Sequence, residues 1–445
     1  MISFLRNWEF QMTKWKVVKL GDVADIIGGG TPDTKNDSYW GGDVPWLTPK
    51  DLSGYGSRHI SKGERNISYQ GLTNSSAKML PAGSVLLTSR APIGYVAIAK
   101  NQLCTNQGFK SLVLKENADS EFFYYLLKNN VDYIQGMSSG STFAEISGSQ
   151  VKALEFKIPS LDVQKRIAGI LGALDDRIDV LRRENVVLEQ MAQAVFQSWF
   201  VDFDIVRAKA AGTPESEVCE KYHITPELYA LFPSALTPDN LPLGWEKKKL
   251  GDLAFNASET HTAQGVEKLI FINTSDVKNG VFLHNKYSVR SEMPGQAKKS
   301  IKENDILYSE IRPINKHFAF VNFDSKDYIV STKLMIIRSF DINNVFYIYF
   351  FLTLKETLNS FQALAENRSG TFPQITFESI SKTEIVFSNR ELHWYFSDYL
   401  KKTYTKIFEN EKQIRTLEQT RDTLLPQLIS GKIDVENVPL PHSGE

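Results

Sequence analysis

A long-period duplication constrains this chain more than any other feature, because it fixes the plan of the fold before any single element is assigned. Trp15-x4-Leu20-Gly21-Asp22-Val23-Ala24 returns as Trp245-x4-Leu250-Gly251-Asp252-Leu253-Ala254, at an offset of 230. Val85, Leu86, Ser89, Pro92 and Ile93 return as Ile306, Leu307, Glu310, Pro313 and Ile314, offset 221. Gly140-Ser141-Thr142-Phe143-Ala144-Glu145-Ile146 is matched by Ser369-Gly370-Thr371-Phe372-Pro373-Gln374-Ile375, and Leu188-Glu189-Gln190 by Leu417-Glu418-Gln419, both at 229. Four anchors in one order make two copies of a half, each a mixed α/β domain followed by a helix.

The helices follow from periodicity. Ile167, Leu171, Leu174, Ile178, Leu181, Asn185, Leu188, Ala192, Val195 and Trp199 step by four and three without a break, the heptad seam of a coiled coil. Leu400, Thr403, Ile407, Asn410, Ile414, Leu417, Arg421, Leu424 and Leu428 repeat the pattern, and Gly431 supplies a stop. Each seam carries one asparagine, a device that gives up stability for register. Asn185 falls at an a position and Asn410 at a d position, which face each other in an antiparallel pair. If they meet, Leu181 faces Ile414 and Leu188 faces Ile407. The first seam then runs about 48 Å at about 1.5 Å per residue. The expected fold is α+β: two internally repeated mixed domains separated by two long helices in an antiparallel intramolecular coiled coil, the alternative being amphipathic helices buried in separate domains.

The domains are expected at 13–158 and 245–388, the helices at 159–202 and 389–432, and a tail at 433–445. Residues 203–244, with Pro214, Pro226, Pro233, Pro238 and Pro242, read as a linker holding one short helical piece. Val85–Leu87, Tyr95–Ala99 and Ser111–Leu114 read as strands, Glu121–Ile134 and Val345–Leu364 as helices. Met1 to Gln11 precede the first repeat, which leaves Met12 as an alternative start. At 445 residues the chain is long for one core. It has no apolar run of membrane-spanning length and no secretory signal pattern, and its two cysteines, Cys104 and Cys219, suit a reducing compartment, so a cytoplasmic location is expected.

No enzyme constellation stands out. Gly28-Gly29-Gly30-Thr31-Pro32 lacks the Gly-Lys-Ser/Thr of a phosphate loop and reads as a turn. Cys219 and His223 have no further ligands nearby to complete a zinc site. The Asp/Asn-Pro-Pro-Tyr/Phe run of amino-group methylation is missing, and Asp276-Val277-Lys278 alone does not make a nuclease core. The expected role is therefore binding, with no metal and no cofactor on this chain.

Formal net charge is -1, but its distribution is uneven. Lys and Arg exceed Asp and Glu by 15 to 13 over Lys14–Glu155 and by 18 to 16 over Trp245–Ile385, while Ser160–Ile205 gives 5 to 8 and Val206–Gly244 gives 3 to 5. The surplus permits DNA binding in the two mixed domains without requiring it. Candidate readers in the first are Lys50, Arg58, Lys62, Arg65, Arg90, Asn106, Gln107, Lys110, Ser139, Ser141 and Thr142. In the second they are Lys278, Arg290, Lys298, Lys299, Arg312, Lys316, Lys333, Arg368, Ser369, Thr371 and Gln374. Lys, Ser and Thr suit phosphate oxygens; Arg, Asn and Gln can read base edges. Phe143 and Phe372 are as readily core aromatics, since Ile146 and Ile375 follow at helical spacing.

Beyond the duplication, several runs resemble the specificity subunit of type I restriction-modification systems. They are Trp15–Ala24, Gly29-Gly30-Thr31-Pro32 with Tyr39-Trp40-Gly41-Gly42-Asp43-Val44-Pro45-Trp46, Thr88-Ser89-Arg90-Ala91-Pro92-Ile93-Gly94, Thr105-Asn106-Gln107-Gly108-Phe109, and Ile158-Pro159 leading to Gln164-Lys165-Arg166-Ile167-Ala168. Trp199-Phe200-Val201-Asp202-Phe203, followed by Val206-Arg207-Ala208-Lys209, is similar too, so the likeness covers nearly the whole chain. It implies two target recognition domains that each read half of a split, asymmetric site in double-stranded DNA, with antiparallel helices as the spacer. It implies as partners two methyltransferase subunits bringing S-adenosylmethionine, and two motor-nuclease subunits using ATP and Mg, with no catalysis on this chain. The second domain departs from the pattern: Phe255–Val281 matches poorly and Glu310-Ile311-Arg312-Pro313 stands for Ser-Arg-Ala-Pro. The alternative reading is a non-enzymatic protein-interaction scaffold with a coiled-coil spacer. A third, an enzyme with an unrecognised site, predicts that the purified chain binds S-adenosylmethionine.

Overall fold

The computed structural model describes residues 15–139, 144–262, 266–368 and 371–439; of Arg368 only the backbone is described. Met12, Ser141, Thr142, Phe143 and Ser369 lie outside these residues. The chain forms two compact units that ignore sequence order: one is Met1–Arg182 with Lys412–Glu445, the other Arg183–Glu411. Each unit thus takes one mixed domain and part of each long helix.

The repeated Leu-Gly-Asp has a local physical cause. Leu20–Val23 and Leu250–Leu253 are one-turn helices in which the aspartate three positions on closes the first turn: the backbone N–H of Lys19 donates to Asp22 Oδ2 at 3.2 Å, that of Lys249 to Asp252 Oδ2 at 2.9 Å. The glycine makes a close approach: a Cβ on Gly21 would lie 3.2 Å from the Lys152 side chain, and one on Gly251 3.1 Å from that of Ser381, so a larger residue would have to push its neighbour aside. Each turn is preceded by a strand that pairs with the last strand of its domain, Lys16–Lys19 with Glu155–Ile158 and Glu246–Lys249 with Glu384–Phe387, both antiparallel.

In the first unit a five-stranded sheet runs Ala24–Gly28, Lys110–Leu114, Val85–Ser89, Ile93–Ala99, His59–Ile60. A three-stranded sheet runs Arg65–Ile67, Trp40–Leu47, Cys104–Thr105, its last pair parallel. The second unit repeats both orders, with four strands in place of five in the larger sheet. One sheet runs Ala254–Ala257, Leu334–Ser339, Ile306–Ser309, Phe318–Phe320. The other runs Tyr287–Val289, Lys268–Ile272, Tyr328–Ser331, its second and third strands again parallel, and adds Ala297–Ser300 at the far edge. The strands expected from the sequence lie within these. The expected helices each break in two. Ser120–Asn129 gives way to Val131–Gly136 where the Asn130 side chain donates to Leu126 O at 2.7 Å, and Val345–Thr353 to Lys355–Arg368 where Leu354 turns extended.

The long helices are Leu161–Phe200 and Arg390–Ile429. Within each unit their pairing is antiparallel. In the first, Arg182 reaches Glu418 at 2.7 Å while Asp175 reaches Arg421 at 2.7 Å. In the second, Asn185 is joined to Asn410 and Glu189 to Tyr404. The segment 203–244 corrects the sequence expectation of a linker with one helical piece. It holds three helices, Asp204–Ala210, Glu215–Tyr222 and Pro226–Ala230, and buries Ile205, Val206, Val218, Leu228 and Phe232 in the core of the second unit. Its prolines sit at helix starts and turns, where they punctuate without unfolding.

Candidate nucleic-acid interface

The same junction occurs in both units. In the first, the hairpin between Val85–Ser89 and Ile93–Ala99 meets the segment returning after Ser139: Ile146 N–H donates to Ser89 O at 3.0 Å, and Ser139 and Glu145 pair as an antiparallel bridge. In the second, Ile375 N–H donates to Glu310 O at 2.9 Å, Arg312 N–H to Pro373 O at 3.2 Å, and Ile311 bridges Gln374. Ile146 and Ile375 are fully buried and pin the junctions to their cores. The residue before each hairpin proline, Ala91 and Arg312, has a positive φ of 54° and 43°. Non-glycine residues are held there at a cost, and such outliers concentrate at functional sites.

Several expected readers gather here. Arg90 lies 3.4 Å from Glu145, and Lys110 3.7 Å from the same carboxylate and 3.5 Å from Ser89 Oγ. Lys333 lies 3.5 Å from Glu310. Arg312 and Lys316 flank the turn Pro313–Asn315 and are exposed, as are Ser139 and Thr371; Gln374 is half-buried. Phe372 corrects the expectation of a core aromatic: it is 73% exposed, because Ile375, three residues on, fills the core position.

A second group forms around the three-stranded sheet of the first unit. The Arg65 guanidinium stacks 3.8 Å over Trp40, which meets Trp46 edge-on at 5.1 Å, and Trp46 Nε1–H donates to Gly30 O at 2.9 Å. Gln107 accepts from the Thr31 hydroxyl, and Asn106 Oδ1 accepts from Gly108 N–H at 2.8 Å. The Gly-rich run is a close approach: a Cβ on Gly29 would lie 2.1 Å from Asn106 O. Lys62 is exposed nearby, and Lys50 pairs with Glu64 at 2.8 Å. In the second unit Lys278 and Lys298 are exposed on strands and Arg290 is half-buried. Lys299 turns inward to donate to Leu334 O at 2.8 Å, and burial pulls its pKa down.

Arg58 is the clear correction. It is 7% exposed and spends its guanidinium inside the first unit, on Glu121 at 2.6 Å, Asp176 at 3.0 Å, Tyr125 Oη at 3.1 Å and the Gly172 carbonyl at 3.1 Å. A charge so fully engaged is a structural post and not a DNA contact. Glu145 and Glu310 are not among the expected readers, which are cations, amides and hydroxyls suited to phosphates and base edges; alignment of the two copies already places both at the junction. Asn410 Nδ2–H donates to Asn185 Oδ1 at 2.8 Å, so the two seam asparagines do come together. Among the described residues no group of His, Cys, Asp and Glu could hold a metal ion.

The family model for the type I restriction modification DNA specificity domain matches this chain twice, at residues 12–190 and 242–419. The type I restriction enzyme MjaIX specificity subunit of Methanocaldococcus jannaschii is 33% identical over 456 residues, covering 98% of this chain and 99% of that one. The HindI specificity subunit of Haemophilus influenzae is 42% identical over 182 residues, covering 40% and 39%. The crystal structure of a type I S subunit from M. genitalium shares the fold, with a TM-score of 0.56 at 15% identity over 93% of this chain and 96% of that one. Two whole-domain matches, a full-length relative and a duplicated fold agree: the chain belongs to the specificity subunits of type I restriction-modification systems, whose part in those systems is recognition and not catalysis.

Proposed function

We propose that the chain reads a bipartite, asymmetric sequence in double-stranded DNA, one block per mixed domain, and carries the methyltransferase and motor-nuclease subunits that act on it. The observation behind this reading is the repeated junction. The strand order and the backbone bond from Ile146 or Ile375 to the hairpin recur in both units, yet Ser89, Arg90, Ala91 and Glu145 in one are Glu310, Ile311, Arg312 and Gln374 in the other. One scaffold with two side-chain sets suits two different half-sites, with phosphate contacts positioning and the junction side chains reading.

The long helices serve as the spacer and as the docking surface. In the second unit Val186, Val187 and Met191 stand exposed on the first long helix, away from its seam. We assign this apolar face to a methyltransferase subunit, two of which bind with two motor-nuclease subunits. S-adenosylmethionine, ATP and Mg then belong to those partners. No helix of the described residues is long and apolar enough to cross a membrane, in keeping with work on cytoplasmic DNA.

The test is selection of bound duplexes from a random pool by the chain copurified with its methyltransferase subunits. Two short fixed blocks separated by a constant gap support the reading, with binding that falls steeply with salt. No motif from a folded complex points to a protein-interaction scaffold. Inserting one heptad into both helices should lengthen the gap by about three base pairs, taking about 10.5 Å of helix against about 3.4 Å per base pair.

A further inference from the structure

The two junctions share a feature that a phosphate-binding surface alone does not call for: a carboxylate at the centre. In the first unit it comes from the returning segment as Glu145, which bridges Ser139 and precedes Ile146, whose N–H is held by the Ser89 carbonyl of the hairpin. In the second the sides are exchanged. Glu310 of the hairpin stands where Ser89 does, and Gln374 where Glu145 does. One negative charge is thus present at each junction, delivered by opposite strands.

A carboxylate repels the DNA backbone, so its presence there needs a use. Its ion pairs are loose: Arg90 at 3.4 Å, Lys110 at 3.7 Å and Lys333 at 3.5 Å, against about 2.7–2.9 Å for a tight charged hydrogen bond. Ionised carboxylates offer about four acceptor sites and donate nothing. Glu145 keeps 40% of its side chain exposed and Glu310 20%, so each holds acceptor capacity toward solvent while the adjacent cations offset its charge. In a major groove the matching donors are the exocyclic amino groups of cytosine and adenine.

We infer that Glu145 and Glu310 are specificity-determining residues, each accepting a hydrogen bond from a base amino group in its own half-site, with Arg90 and Lys110 or Lys333 holding the carboxylate in place. The inference rests on the DNA-recognition reading above. Exchanging carboxylate for amide adds a donor at the same shape, so Glu145→Gln should change the preferred base pair at one position of one block, with roughly ten-fold or greater loss of discrimination there, and leave the other block intact. Glu310→Gln should do the same in the other block. The double change Ser89→Glu with Glu145→Gln, which copies the second junction into the first domain, should alter the first block again and not restore it.

The measurement is duplex selection with the full complex of chain and methyltransferase subunits, comparing wild type and variants. The untouched block reports folding within the same experiment. An altered base in the matching block supports the inference. An unchanged motif overturns it, whether affinity falls uniformly, as for a residue that only positions cations, or does not fall at all. A wild-type complex that selects no bipartite motif defeats the recognition reading itself, and this inference with it.

Discussion

The two units grip the same pair of helices with different chemistry. In the first the clasp is polar. Arg58 binds Glu121 and Asp176, Tyr125 donates to Asp175 at 2.6 Å, and Arg421 of the second long helix binds the same Asp175 at 2.7 Å. In the second it is aromatic. Phe196, Trp199 and Phe200 of one helix and Phe396 of the other interlock with Tyr347 and Phe350 of the domain, with ring centroids 4.9–6.1 Å apart. Duplicated folds therefore need not keep the interactions that hold them, provided volume and polarity are satisfied at each site. A polar clasp demands direction and fails when one member is lost; an aromatic clasp demands volume and fails when a cavity opens.

That contrast can be broken from either side. Phe396→Ala opens the aromatic core and should lower the stability of the second unit by about 4 kcal/mol, read as lost hydrogen-exchange protection confined to residues 183–411. Arg58→Ala removes the buried cation that Glu121, Asp176 and Tyr125 share and should lower that of the first unit by about 3 kcal/mol, with the loss confined to the first unit. Arg58→Lys should recover little, because Nε, Nη1 and Nη2 are all used and a lysine has no fork to match them. Full recovery by lysine would mean that charge alone holds the clasp.

Acid sharpens the comparison. His393 is fully buried between Phe387 and Tyr347, at 4.3 and 4.4 Å. Burial, opposed by Asp341 and reinforced by Lys248, pushes its pKa down to about 3. The unfolded chain then binds a proton that the folded one refuses. This contribution is whole above about pH 6.5 and is lost as pH falls toward 3, about 2 kcal/mol of it gone by pH 5. Denaturant titrations at pH 7 and 5 should show it, and His393→Phe should flatten it; an equal slope in the variant would place the acid sensitivity elsewhere. The smallest effect lies in the seam. Replacing Asn185 and Asn410 together by leucine should stabilise the second unit by about 1 kcal/mol, since removing both partners leaves no orphan, and a destabilised double variant would assign the pair a larger structural share.

What could be read in advance divides along the same line. Heptads and asparagines announce themselves because their partners are fixed by periodicity, so the helices and the meeting of Asn185 with Asn410 were legible. Arg58 was not. Its partners lie at Glu121, Asp175 and Asp176, and one arginine in a loop carries no mark of burial until the chain is folded. The junctions were half legible: Arg90, Lys110 and Lys333 stand out as cations suited to DNA, whereas Glu145 and Glu310 carry the charge that a phosphate backbone repels. The three helices of 203–244 were hidden by the very prolines that start them.

The unequal way the chain is shared between its units also sets an order of assembly. Arg183–Glu411 is one uninterrupted stretch and can close its core as soon as it leaves the ribosome. The unit containing the amino-terminal domain draws Arg421, Leu425, Leu428, Ile429 and Val435 into its clasp and core, so it completes itself only across a gap as long as the other unit. Such a closure costs little more than a shorter one once its ends are held, because loop entropy grows only with the logarithm of length. The domain translated first is thus the one whose core waits for the last residues of the chain to complete it.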